Sequence, residues 1–281
     1  MLPKKLLIGV LINLPKKMHF YWCGNKMSFL QYMTIISFRK YNPDWKIFVH
    51  EPTKRTETLS WLTNEQKLQY IGEDFYPKLK ELPYVTFSKI YFNEIGFDEN
   101  LSEIYKSDYI RWYLLSTTGG GWSDFDILYI KPIHEIDFIE DKNTIICKDD
   151  TYGHIIGFFL SKKENIFFKN ILNSVHLAFN QNDYQSIGSK LLNKIYPTTD
   201  EMIKNNPKIK LMNLPLYVFY PINHENLTDL FEKNRKDMIT DNTIGVHWYN
   251  GSNEAKEFNN SYIYGESTIE NTITTILKNI I

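Results

Sequence analysis

The stretch from Lys17 to His50 sets the fold class, because it spells one β-α-β unit. KMHFYWCG, Lys17 to Gly24, follows Pro15, is short, aromatic and apolar, and ends in a glycine turn, the pattern of a buried strand. Ser28 and Gln31 make a capping box at the head of an apolar run through Phe38. Asn42-Pro43 then stops that helix before a second short strand, Lys46 to His50. Parallel strands joined in this way need helices packed on the sheet, so the spacing predicts an α/β protein with a mostly parallel central sheet. Ligands on such sheets sit beyond the carboxyl ends of the strands, which places Gly24 and the residues before it at the border of the expected site.

Further along, Glu103 to Thr117 reads as an amphipathic helix offering Ile104, Ile110, Leu114 and Leu115 to the core and stopped by Gly119, Gly120 and Gly121. Thr144 to Lys148, Ile155 to Leu160 and Thr243 to Tyr249 read as strands. Glu164 to Phe179, Tyr184 to Ile195 and Ser267 to Lys278 read as helices. Residues 53 to 100 are polar and mixed, with a helix expected over Leu59 to Tyr70 and irregular chain elsewhere, in the manner of an insertion or lid. Neither a repeat nor a low-complexity linker interrupts the 281 residues, so a single domain over 1–281 is expected.

The feature with chemistry in it is SDYIRWYLLSTTGGGWSDFDILYIKP, Ser107 to Pro132. Asp124 and Asp126 stand two apart after a glycine turn. On an extended strand, residues i and i+2 share a face, so both carboxylates are expected to approach one divalent cation. Hard oxygen ligands suit magnesium or manganese, which often bind through one or two carboxylates while a substrate's phosphates complete the shell. ILYIKPI, which follows, is too apolar for a surface loop, and carboxylates at such a strand end are costly unless partnered. Asp108 and Arg111 are three apart on the preceding helix, with Trp112 four from Asp108. Taken alone the pair is a surface ion bridge worth about 0–1 kcal/mol; beside the aspartates it is a clamp that orients a sugar.

Charge and composition narrow the partners. The 32 basic and 33 acidic residues nearly cancel, which removes any global pull toward nucleic acid or anionic membrane. The 19 Tyr, 18 Phe and 6 Trp can fill a core and still leave flat surfaces for sugars or bases. Trp22, next to the Gly24 turn, is a candidate base-stacking platform or an ordinary core ring. His247-Trp248, in IGVHWYNGS, joins a possible metal or phosphate ligand to a flat ring. His19, His50, His134, His154, His176 and His224 show no metal-ligand spacing, and there is no Walker-type loop or nucleophile elbow. Cys23 and Cys147 are the only cysteines, which fits a reducing compartment. In MLPKKLLIGVLIN the apolar run Leu6 to Leu11 is brief for a signal peptide, and no segment has the roughly 18 apolar residues of a membrane span. A soluble cytoplasmic protein is expected.

Taken together, these blocks resemble the DxD glycosyltransferases of family 32 and the capsular-polysaccharide type. His19 to Gly24 resembles the family's opening His-x-x-Trp-x-Gly, followed by Asn42 to Trp45. Ser107 to Arg111 and Gly119 to Asp126 align with its Ser-Asp-x-x-Arg and Gly-Gly-x-Tyr-x-Asp-x-Asp, and His247-Trp248 with its late His-Trp. Trp122 stands where tyrosine is usual, while Gly121 and Ser123 replace apolar residues. The resemblance implies a GT-A fold, a Rossmann-like sheet flanked by helices, with a donor part over about 14–135 and an acceptor-side part over about 136–281. It further implies a nucleotide sugar, UDP-linked, with Mn2+ or Mg2+ and retention of configuration. Trp22 would stack on the base. Asp124, Asp126 and His247 would serve the metal. Asp108 and Arg111 would hold the sugar, and Ser107, Trp122 and Trp248 would complete the donor site. The acceptor implied is a surface glycan. The other readings are transfer to hydroxymethylated bases of viral DNA, a sugar-binding protein without transferase activity, and a metal-dependent phosphohydrolase.

Overall fold

The capping box at Ser28 forms as the sequence predicts: the Ser28 hydroxyl accepts from the Gln31 amide at 3.3 Å and the Gln31 side chain accepts from the Ser28 amide at 2.9 Å. It starts helix α1 (Phe29–Tyr41), which lies between strands β1 (Lys17–Tyr21) and β2 (Lys46–Pro52). The structure is a computed structural model that describes residues 14–56, 70–137, 139–261 and 267–278. The helix expected over Leu59 to Tyr70 lies, except for the non-helical Tyr70, outside the described residues, as does the apolar run 6–11.

After β2 come α2 (Tyr76–Lys80), β3 (Val85–Ile90), α3 (Glu103–Thr117), β4 (Gly120–Ser123) and β5 (Ile127–Tyr129). Then follow β6 (Thr144–Asp149), β7 (Gly153–Ser161), α4 (Ile166–Ala178), α5 (Ser189–Ile195), α6 (Thr199–Asn205) and β8 (Leu211–Leu214). The described chain closes with α7 (Leu227–Phe231), β9 (Gly245–His247), α8 (Asn253–Ser261) and α9 (Thr268–Leu277). The main sheet runs β3-β2-β1-β4-β7-β6-β8, with β7 antiparallel to its neighbours β4 and β6 and the other pairings parallel. This is the GT-A arrangement. Chain order reverses between β1 and β4, the switch point at which such sheets open a crevice.

Side chains alternate across β1. Met18, Phe20 and Trp22 join a core with Phe38 and Trp45, while Tyr21 joins a second core under α3 and α4. Burial on both faces explains the unbroken apolar run, and each fully buried large apolar side chain contributes about 1.5–3 kcal/mol. Gly120, at φ 100°, lets β4 lie close against β1: a Cβ there would meet the Lys17 carbonyl oxygen at 2.5 Å.

Four expectations need correction. The segment read as irregular contains α2 and β3, and β3 is a half-exposed edge strand with little apolar signal. The helix expected from Tyr184 begins only at Ser189, because residues 180–188 fold as turns. The late strand shrinks to β9, which pairs with β5 in a separate two-stranded sheet. Helix α3 is buried nearly all round, charged residues included, so it is not amphipathic; Ile104 is only half-buried.

Candidate active site

The carboxyl ends of β1 and β4 open into a cavity of about 480 Å³, a size suited to a small ligand. Its walls include Trp22 and Gly24 after β1, Ser107, Asp108 and Arg111 from α3, and Trp122, Asp124 and Asp126 at the end of β4. The two aspartates are not on a strand. They occupy the turn from β4 into β5, where the chain leaves the main sheet to meet β9. Three backbone contacts fix that turn: the Asp124 amide donates to the Gly157 carbonyl at 2.9 Å, the Trp248 amide to the Asp126 carbonyl at 2.8 Å, and the Asn250 amide to Asp126 Oδ2 at 3.0 Å.

The carboxylates have different surroundings. Asp124 Oδ1 accepts from Arg111 Nη2 at 3.2 Å and from the Trp122 indole at 2.9 Å. Asp126 Oδ1 lies 3.1 Å from His247 Nε2 but has no aligned hydrogen bond. Burial pushes Asp124 up against the pull of Arg111, and the charge of Asp126 adds to the rise. Burial would raise Asp126 too, but His247 and the Asn250 amide outweigh it and hold that carboxyl below its usual range. Burial lifts Asp108 to about 7 even though Arg111 Nη1 lies 3.4 Å from its Oδ1. Arg111 Nε and Nη1 are buried without hydrogen-bond partners.

Among the described residues, no three His, Cys, Asp or Glu side chains are gathered into a ready-made metal cage. Two cis ligands of an octahedral cation with bonds of about 2.0–2.1 Å lie roughly 3 Å apart, and the Asp126 Oδ1 to His247 Nε2 separation of 3.1 Å fits that edge. A buried carboxylate oxygen left without a hydrogen bond fits it as well.

Two sequence-derived roles change. Trp248 does not line the cavity: its ring is fully buried in a third core with Val246 and Ile273, and only its backbone reaches the aspartate turn. His247 ends β9 and Trp248 follows it, sharing a core with Val246, the residue on the other side of His247. Trp22 does line the cavity, yet it is 4% exposed, with Tyr76 stacked on it at 5.5 Å and Gly24 close against its ring. The open flat face expected for a base is covered. The cavity also takes Lys26, just past Gly24, and Gln185, Asn250 and Lys256, which sequence reasoning missed because distant loops and α8 bring them in.

Two family models match the chain in tandem. The glycosyltransferase sugar-binding region containing the DXD motif matches residues 30–150, and the alpha 1,4-glycosyltransferase conserved region matches residues 160–273. The chain is a DXD-type glycosyltransferase. No curated protein matches its sequence. Among solved structures, the PaToxG glycosyltransferase is 15% identical, with 69% of this chain and 74% of that one aligned at a TM-score of 0.46. GlyE of Streptococcus pneumoniae is 13% identical at a TM-score of 0.49, and the match covers 94% of this glycosyltransferase but 60% of GlyE. The galactosyltransferase LgtC, in complex with donor and acceptor sugar analogues, is 14% identical over 93% of this chain and 95% of LgtC, at a TM-score of 0.44. Likenesses this distant leave the assignment to the family models and the site. No helix among the glycosyltransferase's described residues is long and apolar enough to cross a membrane.

Proposed function

We propose that this glycosyltransferase moves a sugar from a UDP-linked donor to an acceptor hydroxyl on a surface glycan, with retention of configuration and with Mn2+ (or Mg2+) held by Asp126, His247 and Asp124. The observation that carries the reading is the Asp126–His247 pair at 3.1 Å, set at the carboxyl end of β4 beside a cavity walled by Arg111. A mixed carboxylate and imidazole donor set favours manganese over magnesium. Once bound, the cation supplies charge neutralisation for the leaving diphosphate. Arg111 Nε and Nη1, which make no hydrogen bond, would donate to donor hydroxyl or phosphate oxygens, and Asp108, poised near 7, would exchange hydrogen bonds with sugar hydroxyls. Ser107, Trp122 and Trp22 form the surrounding wall. The alpha 1,4 description of the second matched region supports retention. Both cysteines are free, in keeping with a reducing, cytoplasmic setting. We read 14–135 as the donor half and 136–281 as the acceptor side of one domain.

The test is a panel of nucleotide sugars, with phosphoesters as the control, assayed with and without Mn2+. One UDP-sugar is expected to be consumed only with the metal, and Asp126→Asn should lower that rate by about 10³-fold with the fold intact. Full activity in Asp126→Asn, or consumption of phosphoesters alone, refutes the assignment.

A further inference from the structure

Behind the aspartate turn, a buried group has no stated task. Tyr220 is 4% exposed, and its hydroxyl has no hydrogen-bond partner. Its ring lies 5.0 Å from that of His247. The hydroxyl comes up against Gly157 of β7, the residue whose carbonyl holds the Asp124 amide. A Cβ built on Gly157 would stand 2.8 Å from Tyr220 Oη, 3.3 Å from Asp124 Oδ2 and 3.6 Å from His247 Cδ2. Glycine at 157 thus leaves no side chain between a hydroxyl and a carboxylate oxygen. Both side-chain hydrogen bonds that Asp124 receives go to Oδ1, so Oδ2 takes neither. Leaving a buried hydroxyl unpaired costs free energy, and native proteins rarely keep one without a use.

We propose that Tyr220 is a positioning residue for the aspartate centre: its hydroxyl donates, through one water seated over Gly157, to Asp124 Oδ2 and so fixes the rotation of that carboxylate. Burial keeps the phenol protonated, as a donor must be. The water in turn donates to the carboxylate, whose Oδ1 stays with Arg111 and Trp122. The proposal rests on the reading of Asp124 and Asp126 as the cation and diphosphate centre.

The experiment compares wild type, Tyr220→Phe, Gly157→Ala and Asp126→Asn for Mn2+ affinity, by electron paramagnetic resonance of the free ion, and for melting temperature of the metal-free protein. Tyr220→Phe removes one hydroxyl and keeps the ring. Mn2+ affinity is expected to fall about 5- to 10-fold while the metal-free protein melts at nearly the same temperature, since the ring and its packing are kept. Gly157→Ala puts a methyl group between the two oxygens and should weaken Mn2+ similarly, with little further loss when combined with Tyr220→Phe. Unchanged Mn2+ affinity in Tyr220→Phe overturns the proposal, whatever its melting temperature does. Because Asp126→Asn tests the centre itself, wild-type binding that is lost in Asp126→Asn but kept in Tyr220→Phe would sink this proposal and leave the functional reading standing.

Discussion

Helix α3 carries two buried charged pairs one turn apart, and they have opposite characters. At its start, Glu103 Oε1 accepts from Lys106 Nζ at 2.8 Å and from the Thr56 amide at 2.8 Å, and Oε2 accepts from the Tyr21 hydroxyl at 2.6 Å. Lys106 Nζ also donates to the Lys54 carbonyl at 2.8 Å, so each charged atom of the pair has a partner. In the following turn, Arg111 keeps two buried nitrogens without hydrogen bonds, and Asp108 is lifted to about 7 by burial. Evenly buried charge therefore divides into a closed network that ties the chain after β2 to α3 and an open one that still has donors to give. Buried polar groups left unsatisfied in a native fold mark places where a ligand completes them.

The largest effect that would sharpen this contrast is on stability. Lys106→Met leaves Glu103 buried with fewer partners, and breaking such a pair from one side should cost about 3–5 kcal/mol. Urea unfolding measures it. A loss under 1 kcal/mol would show that the closed network is not structural. Arg111→Lys should do the reverse. Lysine keeps the charge but loses the planar fork, so kcat/KM for the donor should fall about 10²-fold, while stability changes by less than about 1 kcal/mol. Equal losses of stability in the two variants would erase the distinction.

The fold was partly legible because its signals are local, whereas the closed network has none. The Ser28/Gln31 box, the Asn42-Pro43 stop and the apolar run of β1 each act within a few residues of themselves. Edge strand β3 was missed because half-exposed positions carry little apolar pattern. The aspartates were found by type and spacing but placed on a strand. What bends the chain there is the pairing of β5 with β9, Ile127 opposite His247, and no local signal announces so distant a partner. The same pairing turns Trp248 into the core while His247 meets Asp126. Tyr220 and Gly157 carry no motif at all; only the register of β7 against β4, Trp122 opposite Phe159, brings Gly157 beside Asp124.

The smallest expected effect uses protons to set a second satisfied group against the open site. His19 Nδ1 lies 2.9 Å from His50 Nε2, His19 Nε2 lies 3.2 Å from the Gly119 carbonyl, and Ser88 Oγ lies 2.6 Å from His50 Nδ1. A carbonyl can only accept, so His19 Nε2 carries its proton there and Nδ1 accepts from His50, whose Nδ1 accepts from Ser88. Both rings must be neutral for this chain to hold. Burial lowers His19 to about 4 and His50 to about 3, and His154, also buried, to about 4. Below the unfolded value near 6.5 the unfolded chain binds protons that the native chain refuses. Each histidine's contribution is therefore whole above pH 6.5 and shrinks as pH falls toward 4, by roughly 1 kcal/mol at pH 5.5. Asp108 has the opposite sign: its folded value of about 7 lies above the unfolded one, so acidification stabilises the native state by about 2 kcal/mol between pH 7.5 and 5.5. In metal-free protein the two regions partly cancel. Asp108→Asn removes the offset, so its unfolding free energy should drop more steeply than that of wild type over this range. Parallel slopes would mean that Asp108 keeps an ordinary carboxylate range and that its burial against Arg111 leaves it as saturated as Glu103.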